Sequence, residues 1–228
     1  MAVSPCLAQA VAHEIRNNLE TEAPKLTLAR LGMDILPESI LATRDCARVA
    51  HIRVLDLRHN ALQLLPSELF LCLHQLQEVD VSENHLSHIS ESIGLLTGLR
   101  KLNLRQNQLE NLPDGLFRLH SLEELHVGHN VLACLPTAIG ALRRLRRLDL
   151  PDNQLEEIPE EAGLLDALEH VDIAGNPIRH VPLHIQRLQT KGELLRSKAH
   201  RRKLVERALH VRGSVRAAFA EEALGDNV

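Results

Sequence analysis

The chain has 228 residues, 44% of them hydrophobic and 25% charged, with a formal net charge of −4. That is globular composition, which excludes a disordered polar chain and is long enough for one elongated domain. No stretch approaches the roughly 20 consecutive apolar residues that a membrane-spanning helix needs, and the start, MAVSPCLAQAVAHEIR, lacks a basic segment followed by an apolar run, so the chain reads as soluble and cytoplasmic.

Residues 4–20 predict one helix, with Ser4 as N-cap, Pro5 in the first turn, and Leu7, Val11, Ile15 and Leu19 recurring every four residues. Residues 1–22 then form a capping segment that covers one open end of a repeating domain. The next segment, LTLARLGMDILP (Leu26 to Pro37), introduces a pattern that recurs as LDLRHNALQLLP from Leu55, VDVSENHLSHIS from Val79 and LNLRQNQLENLP from Leu102. It continues as LHVGHNVLACLP from Leu125, LDLPDNQLEEIP from Leu148 and VDIAGNPIRHVP from Val171. The last four starts are each 23 residues after the one before, and Leu55 to Val79 is 24. Such a period means a solenoid over residues 23–190, in which no repeat buries its leucines alone and all share one core.

The alternation Leu102, Asn103, Leu104 predicts a short strand with its leucines inward. Asn60, Asn84, Asn107, Asn130, Asn153 and Asn176 occupy one repeat position. An amide side chain both donates and accepts, so this row predicts a buried polar ladder that satisfies turn backbone groups. Leu31 takes the Asn place in the first repeat, where the ladder can end. Leu109, Leu112, Leu116 and Leu119 supply the return path across the convex side. The spacing from Leu26 to Leu55 is 29, and the surplus falls in SILATRDCARVAH, a lengthened convex helix or loop. After Asn176-Pro177 the pattern stops. Leu183, Ile185 and Leu188 predict a last convex turn, and a long helix is expected from Gly192 through the segment 191–228.

At these residues the chain resembles the leucine-rich repeat family in its 23-residue intracellular class, over about Pro24 to Leu188. The resemblance implies an α/β fold: a right-handed horseshoe with a parallel sheet on the concave side. It also implies a scaffold for binding other proteins and no particular activity. The leading helix, the LTL repeat without Asn and the enlarged gap resemble a small intracellular member. Secreted members resemble one another in disulfide-bonded caps. Cys6, Cys46, Cys72 and Cys134 are scattered with no CxxC pair, so the thiols are expected to be reduced and partly buried.

The residue between the two strand leucines faces the concave side, and that column runs Thr27, Asp56, Asp80, Asn103, His126, Asp149, Asp172. Successive strands lie ~4.8 Å apart, so adjacent carboxylates repel unless something positive intervenes. The column therefore suggests a receptor for Lys or Arg on a partner. The alternative is that Arg53, Arg58, Arg105, Arg146 and Arg147 on the same face already neutralise it. Aromatic residues make up only 1% of the chain, so of the usual hot-spot types only Arg is available, and a partner would be recognised by charge and shape.

Residues 187–216 carry a net charge of +8 and residues 1–186 a net −9. Arg196, Lys198, Arg201, Arg202, Lys203 and Arg207 form the basic helix, which suits an anionic partner such as tubulin or a membrane surface, or else the acidic solenoid itself. Nucleic acid is not the expected ligand. Near the start of that segment IQRLQTKGELLR approaches the IQ pattern of calmodulin-type ligands, but its basic and glycine positions fall one residue late. Ile185 and Leu188 are already explained as repeat positions.

Fourteen histidines include His59, His126, His129 and His170 on the concave side, without a helical HxxxH or a Cys/His cluster. No metal or cofactor is expected. There is no GxSxG, no phosphate loop and no dinucleotide fingerprint, so the chain reads as a non-enzyme with no small-molecule substrate. Two functions remain: a scaffold that binds an unidentified polypeptide in the concave face, and a phosphatase- or microtubule-associated subunit tethered by the basic helix within a larger complex.

Overall fold

The computed structural model describes residues 24–36 and 49–190, together with Val11, His13, Glu14 and Asn17. Seven strands form one sheet in sequence order: β1 (Lys25–Thr27), β2 (Val54–Asp56), β3 (Glu78–Asp80), β4 (Lys101–Asn103), β5 (Glu124–His126), β6 (Arg147–Asp149) and β7 (His170–Asp172). Every neighbouring pair is parallel, and the central residues align as Leu26, Leu55, Val79, Leu102, Leu125, Leu148 and Val171. The strands are three residues long because only this alternation is shared by all repeats. Its central leucine turns inward, and Leu28, Leu57, Leu104, Val127 and Leu150 beyond the strands are buried as well.

The convex return is made of short turns. Four 3₁₀ segments, Glu91–Leu95, Asp114–Arg118, Thr137–Ala141 and Glu160–Leu164, each follow an extended residue. For the last three that residue is Pro113, Pro136 or Pro159. Proline holds φ near its required value and removes an N–H that the helix start would leave unpaired. The return between β2 and β3 is instead a six-residue α-helix, α1 (Ser67–Cys72). This is the one interval of 24, and the physical fit is direct: an α-helix rises ~1.5 Å per residue against ~2.0 Å for 3₁₀, so one more residue covers a similar span. Adjacent returns pack closely. A Cβ on Gly115 would collide with the carbonyl oxygen of Glu91, while the Glu91 carboxylate accepts from the N–H groups of Asp114 and Gly115.

The asparagine ladder is present in all six positions, each 4–8% exposed. Asn107 shows the scheme. Its amide nitrogen donates to Leu104 O in its own repeat and to Val81 O in the preceding one, both at 3.1 Å. Its oxygen accepts from Leu86 N of that preceding repeat at 3.0 Å. The contacts run from side chain to neighbouring backbone, not from one asparagine to the next. Leu31, in the Asn place of the first repeat, is partly buried against the core.

Just after each strand the chain turns through the left-handed region at Arg30, His59, Glu83, Gln106, His129, Asp152 and Gly175, with φ between 53° and 73°. The N–H groups of six of these reach the next repeat, for example Glu83 N to Arg105 O at 2.9 Å and His129 N to Pro151 O at 2.8 Å. The inter-repeat bond offsets the cost of ~1–2 kcal/mol that a side chain meets there.

Several expectations change or lie elsewhere. The last described element is a helix, α2 (Leu183–Thr190), where a convex turn was expected, and the long helix expected from Gly192 lies outside the described residues. Ile185 is buried and Leu188 partly buried against the core, at helical spacing, whereas the inward residues of β7 are only partly covered. At the start of this helix Gln186 N donates to Pro182 O at 3.0 Å. Cys72 is fully buried and disulfide-bonded, which corrects the expectation of reduced thiols. Spacing along the chain does not show which thiols a fold brings to bonding distance. Cys134 is free and exposed. Of the expected N-terminal helix, Val11, His13, Glu14 and Asn17 are helical and Val11 is buried, while the rest lies outside the described residues. So do the bulk of the lengthened segment after Pro37 and the whole basic segment 191–228. No described helix is long and apolar enough to cross a membrane.

Candidate interaction surface

The outward-facing residues of the strands form two columns in register. The third strand position runs Thr27, Asp56, Asp80, Asn103, His126, Asp149, Asp172, as alternation predicts. Arg58 and Arg105 follow two residues behind Asp56 and Asn103. The first strand position runs Lys25, Val54, Glu78, Lys101, Glu124, Arg147, His170. All nine residues expected on the concave face therefore lie on one surface.

The column is less open than expected. Asp56 and His126 are buried, and Asp80, Asn103, Asp149 and Asp172 are half-buried. The reason is local. Asp56, Asp80, Asn103 and Asp172 each accept, through Oδ1, the backbone N–H two residues on: Arg58, Ser82, Arg105 and Ala174 at 3.0–3.3 Å. A short side-chain acceptor at this place shapes the turn leading into the left-handed residue. Asp and Asn thus recur in part for backbone reasons.

Pairing within a repeat and between neighbouring strands takes up part of the remaining charge. Arg58 Nη2 lies 3.0 Å from Asp56 Oδ2. Asp80 Oδ2 accepts from Asn103 Nδ2 at 3.1 Å. In the middle a chain of contacts spans three strands: Lys101 Nζ to Glu124 Oε2 at 3.0 Å, His126 Nε2 to the same oxygen at 3.2 Å, and His126 Nδ1 to Asp149 Oδ2 at 2.7 Å. Both histidine contacts are hydrogen bonds at once only when each ring nitrogen carries a proton. Burial by itself would raise the Asp149 carboxyl. The hydrogen bond from His126, and the charges of His126, Arg147 and Arg105, override it and hold the group below its ordinary value. Glu124 behaves alike, with burial opposed by hydrogen bonds from Lys101 and His126.

Lys101 and Glu124 were missed by sequence reasoning, although the signal was present. Writing out the residue before each strand leucine shows Lys101, Glu124, Arg147 at the same 23-residue interval with alternating sign. The pairs His59–Glu83 at 2.6 Å and His129–Asp152 at 3.3 Å were missed for the same reason, since they too join neighbouring repeats. Of the arginines expected to neutralise the column, only Arg58 bridges to it. Arg146 contacts Glu169, and Arg53 donates to Ala50 O. Arg196, Lys198, Arg201, Arg202, Lys203 and Arg207 lie outside the described residues. Among the described residues no group of three or more His, Cys, Asp or Glu is arranged to hold a metal ion.

The seven-strand parallel sheet and the short convex turns recur in known proteins. The family described as Leucine rich repeat matches residues 50–109 and 97–155. Over those residues the stack is built of leucine-rich repeats. Among solved structures, the Leptospira interrogans LRR protein LIC12759 superimposes with a TM-score of 0.65 at 28% identity, covering 72% of this chain and 40% of that one. The plant peptide hormone receptor RGFR1 in complex with RGF2 gives 0.57 at 26%, covering 72% and 30%. Among curated proteins, the human volume-regulated anion channel subunit LRRC8A is 37% identical over 94 residues, 41% of this chain and 11% of that protein. The probable serine/threonine-protein kinase pats1 of Dictyostelium discoideum is 32% identical over 96 residues, 42% of this chain and 3% of that protein. The chain thus spans only a small fraction of these curated relatives, and the similarity is that of the repeat domain. Leucine-rich repeat domains are in general protein-interaction modules.

Proposed function

We propose that the chain is a non-enzymatic scaffold or adaptor that binds a polypeptide partner through the outer face of its sheet. The observation that carries this reading is the in-register polar surface from Thr27 to Asp172, seven strands wide and built on a core that holds it in place. The structure of RGFR1 with RGF2 supports it by likeness, as a repeat domain of related fold in complex with a peptide hormone. A cytoplasmic location goes with this reading. The disulfide at Cys72 removes the support that the cysteines had lent to it. The leading helix and the first repeat without Asn also resemble leucine-rich repeat-containing protein 20.

The second reading is a phosphatase-, microtubule- or axoneme-associated subunit tethered through the basic segment, and it rests on the net charge of +8 over residues 187–216. Affinity capture with three forms of the full chain separates the two. Proteins held by wild type and by Arg201→Ala/Arg202→Ala/Lys203→Ala, but lost from Glu78→Lys/Asp172→Lys, establish the sheet face. The inverse pattern, with binding that weakens steeply as salt rises, establishes the tether and refutes the scaffold reading.

A further inference from the structure

The charges on the sheet face are not all spoken for, and what remains after pairing has a definite order along the stack. At β3, Glu78 is exposed and forms no bridge with any described residue. Beside it Asp80 is held only by neutral donors, the side chain of Asn103 and the amide and hydroxyl of Ser82. Hydrogen bonds of that kind orient a carboxylate but leave its charge uncompensated. At β4 and β6 the residual sign reverses. Arg105 and Arg147 make no direct bridge among the described residues, and Asp149, whose field they share, is already bound by His126. At β7, Asp172 accepts the amide of Ala174 through one oxygen, and its other oxygen has no partner among the described residues. The face therefore reads negative at β3, positive across β4 to β6, and negative again at β7.

We infer that the partner engages this face as an extended polypeptide segment running along the stack, carrying a basic residue at each end and an acidic residue between them. This inference rests on the sheet-face reading above and adds the chemistry of the partner to it. The spacing follows from geometry. From β3 to β7 are four strand steps of ~4.8 Å, or ~19 Å, and an extended chain advances ~3.3 Å per residue, so the two basic residues stand about six positions apart. The acidic residue falls near the midpoint, over Arg105 and Arg147. A segment with the opposite signs meets like charge at all three places, which costs affinity and slows association.

The test uses synthetic peptides against the full chain at low salt, read by fluorescence anisotropy. One series holds two lysines with a glutamate midway and varies their separation, and a second carries the signs reversed. The expected result is tightest binding at a separation of about six, with ~tenfold weaker binding when the lysines are brought to half that spacing, and no comparable binding of the reversed series. Glu78→Gln and Asp172→Asn should each weaken the best peptide while abolishing its preference for that separation. Both side chains lie away from the core, and a thermal melt confirms that folding is unchanged. Binding indifferent to lysine separation, or no peptide binding at all, overturns the inference. So does sedimentation showing that a second copy of the chain occupies the face. If the peptides show no preference while Glu78→Lys/Asp172→Lys still loses captured proteins, only the segment chemistry is wrong. If that variant keeps them, the sheet-face reading itself falls.

Discussion

The middle repeats and the first repeat follow one template yet are held together differently. At β4 to β6, Asn107, Asn130 and Asn153 are buried, each donating within its own repeat and reaching back into the one before, and Lys101, Glu124, His126 and Asp149 tie three strands across the face. The first repeat has Leu31 where the others have Asn. Its turn amides are served from outside: Asn60 Oδ1 accepts from both Leu31 N at 3.1 Å and Met33 N at 3.0 Å, and Asn60 Nδ2 donates to Leu28 O at 2.9 Å. The ladder is therefore directional. Each asparagine satisfies the repeat that precedes it, so a first repeat has no preceding turn to serve and can carry leucine, while the last repeat, with Asn176, cannot omit it.

The largest effect should come from breaking the ladder in the middle. Asn107→Ala leaves Leu86 N without its acceptor inside the core, at ~1–3 kcal/mol, and removes one of the two amide donors to Val81 O, which keeps the one from Asn84, so urea denaturation should show a clear fall in midpoint. Leu31→Ala provides the contrast, since it removes apolar contact and no hydrogen bond of the ladder. An Asn107→Ala midpoint equal to wild type would refute the directional account.

Gly115→Ala comes next, because a Cβ has no space against the Glu91 carbonyl. A loss of ~1–3 kcal/mol is expected, and Gly98→Ala, where the nearest atom lies 3.9 Å away, should cost far less.

A smaller effect is expected from the charged tie, and it depends on pH. Glu124 and Asp149 have carboxyls held below their ordinary values in the folded chain, so the stability they contribute is present above the unfolded values near ~4 and is lost as pH falls through the folded ones. Unfolding free energies measured between neutrality and acid should decline more steeply for wild type than for Glu124→Gln/Asp149→Asn in that window. Parallel curves would show that the tie carries no linked stability.

The smallest change concerns the left-handed turns. Gln106→Gly relieves a positive φ of 54° and loosens the unfolded chain, two opposing terms that should leave stability within ~1 kcal/mol. Gln106→Val, β-branched in the same place, should be clearly destabilised in thermal melts, and equal melting of the two would remove the strain argument.

Much of this was legible from the order of residues. A 23-residue recurrence of Leu-x-Leu with a following Asn implies strands in register, inward leucines and a polar ladder, because burial and hydrogen-bond satisfaction admit few other arrangements of that pattern. The single 24-residue interval carried the signal for α1, but reading it required knowing what the neighbouring returns were. The concave column was legible as a row of positions and not as a row of free charges. That Asp80 is held by Asn103 while Asp149 is held by His126 depends on which rotamers meet across ~4.8 Å, and composition says nothing about that choice.

Sequence alone determined the repeat, the sheet order, the buried leucines and the six asparagines, since each repeat states the same local rule and the stack only multiplies it. The tertiary structure decided the direction of the ladder, the disulfide at Cys72, the helix at Leu183–Thr190 and which surface charges are left over among the described residues. These are contacts between residues that no local rule links. They arise from the three-dimensional meeting of side chains one repeat apart, where distance and burial select one partner from several of suitable chemistry.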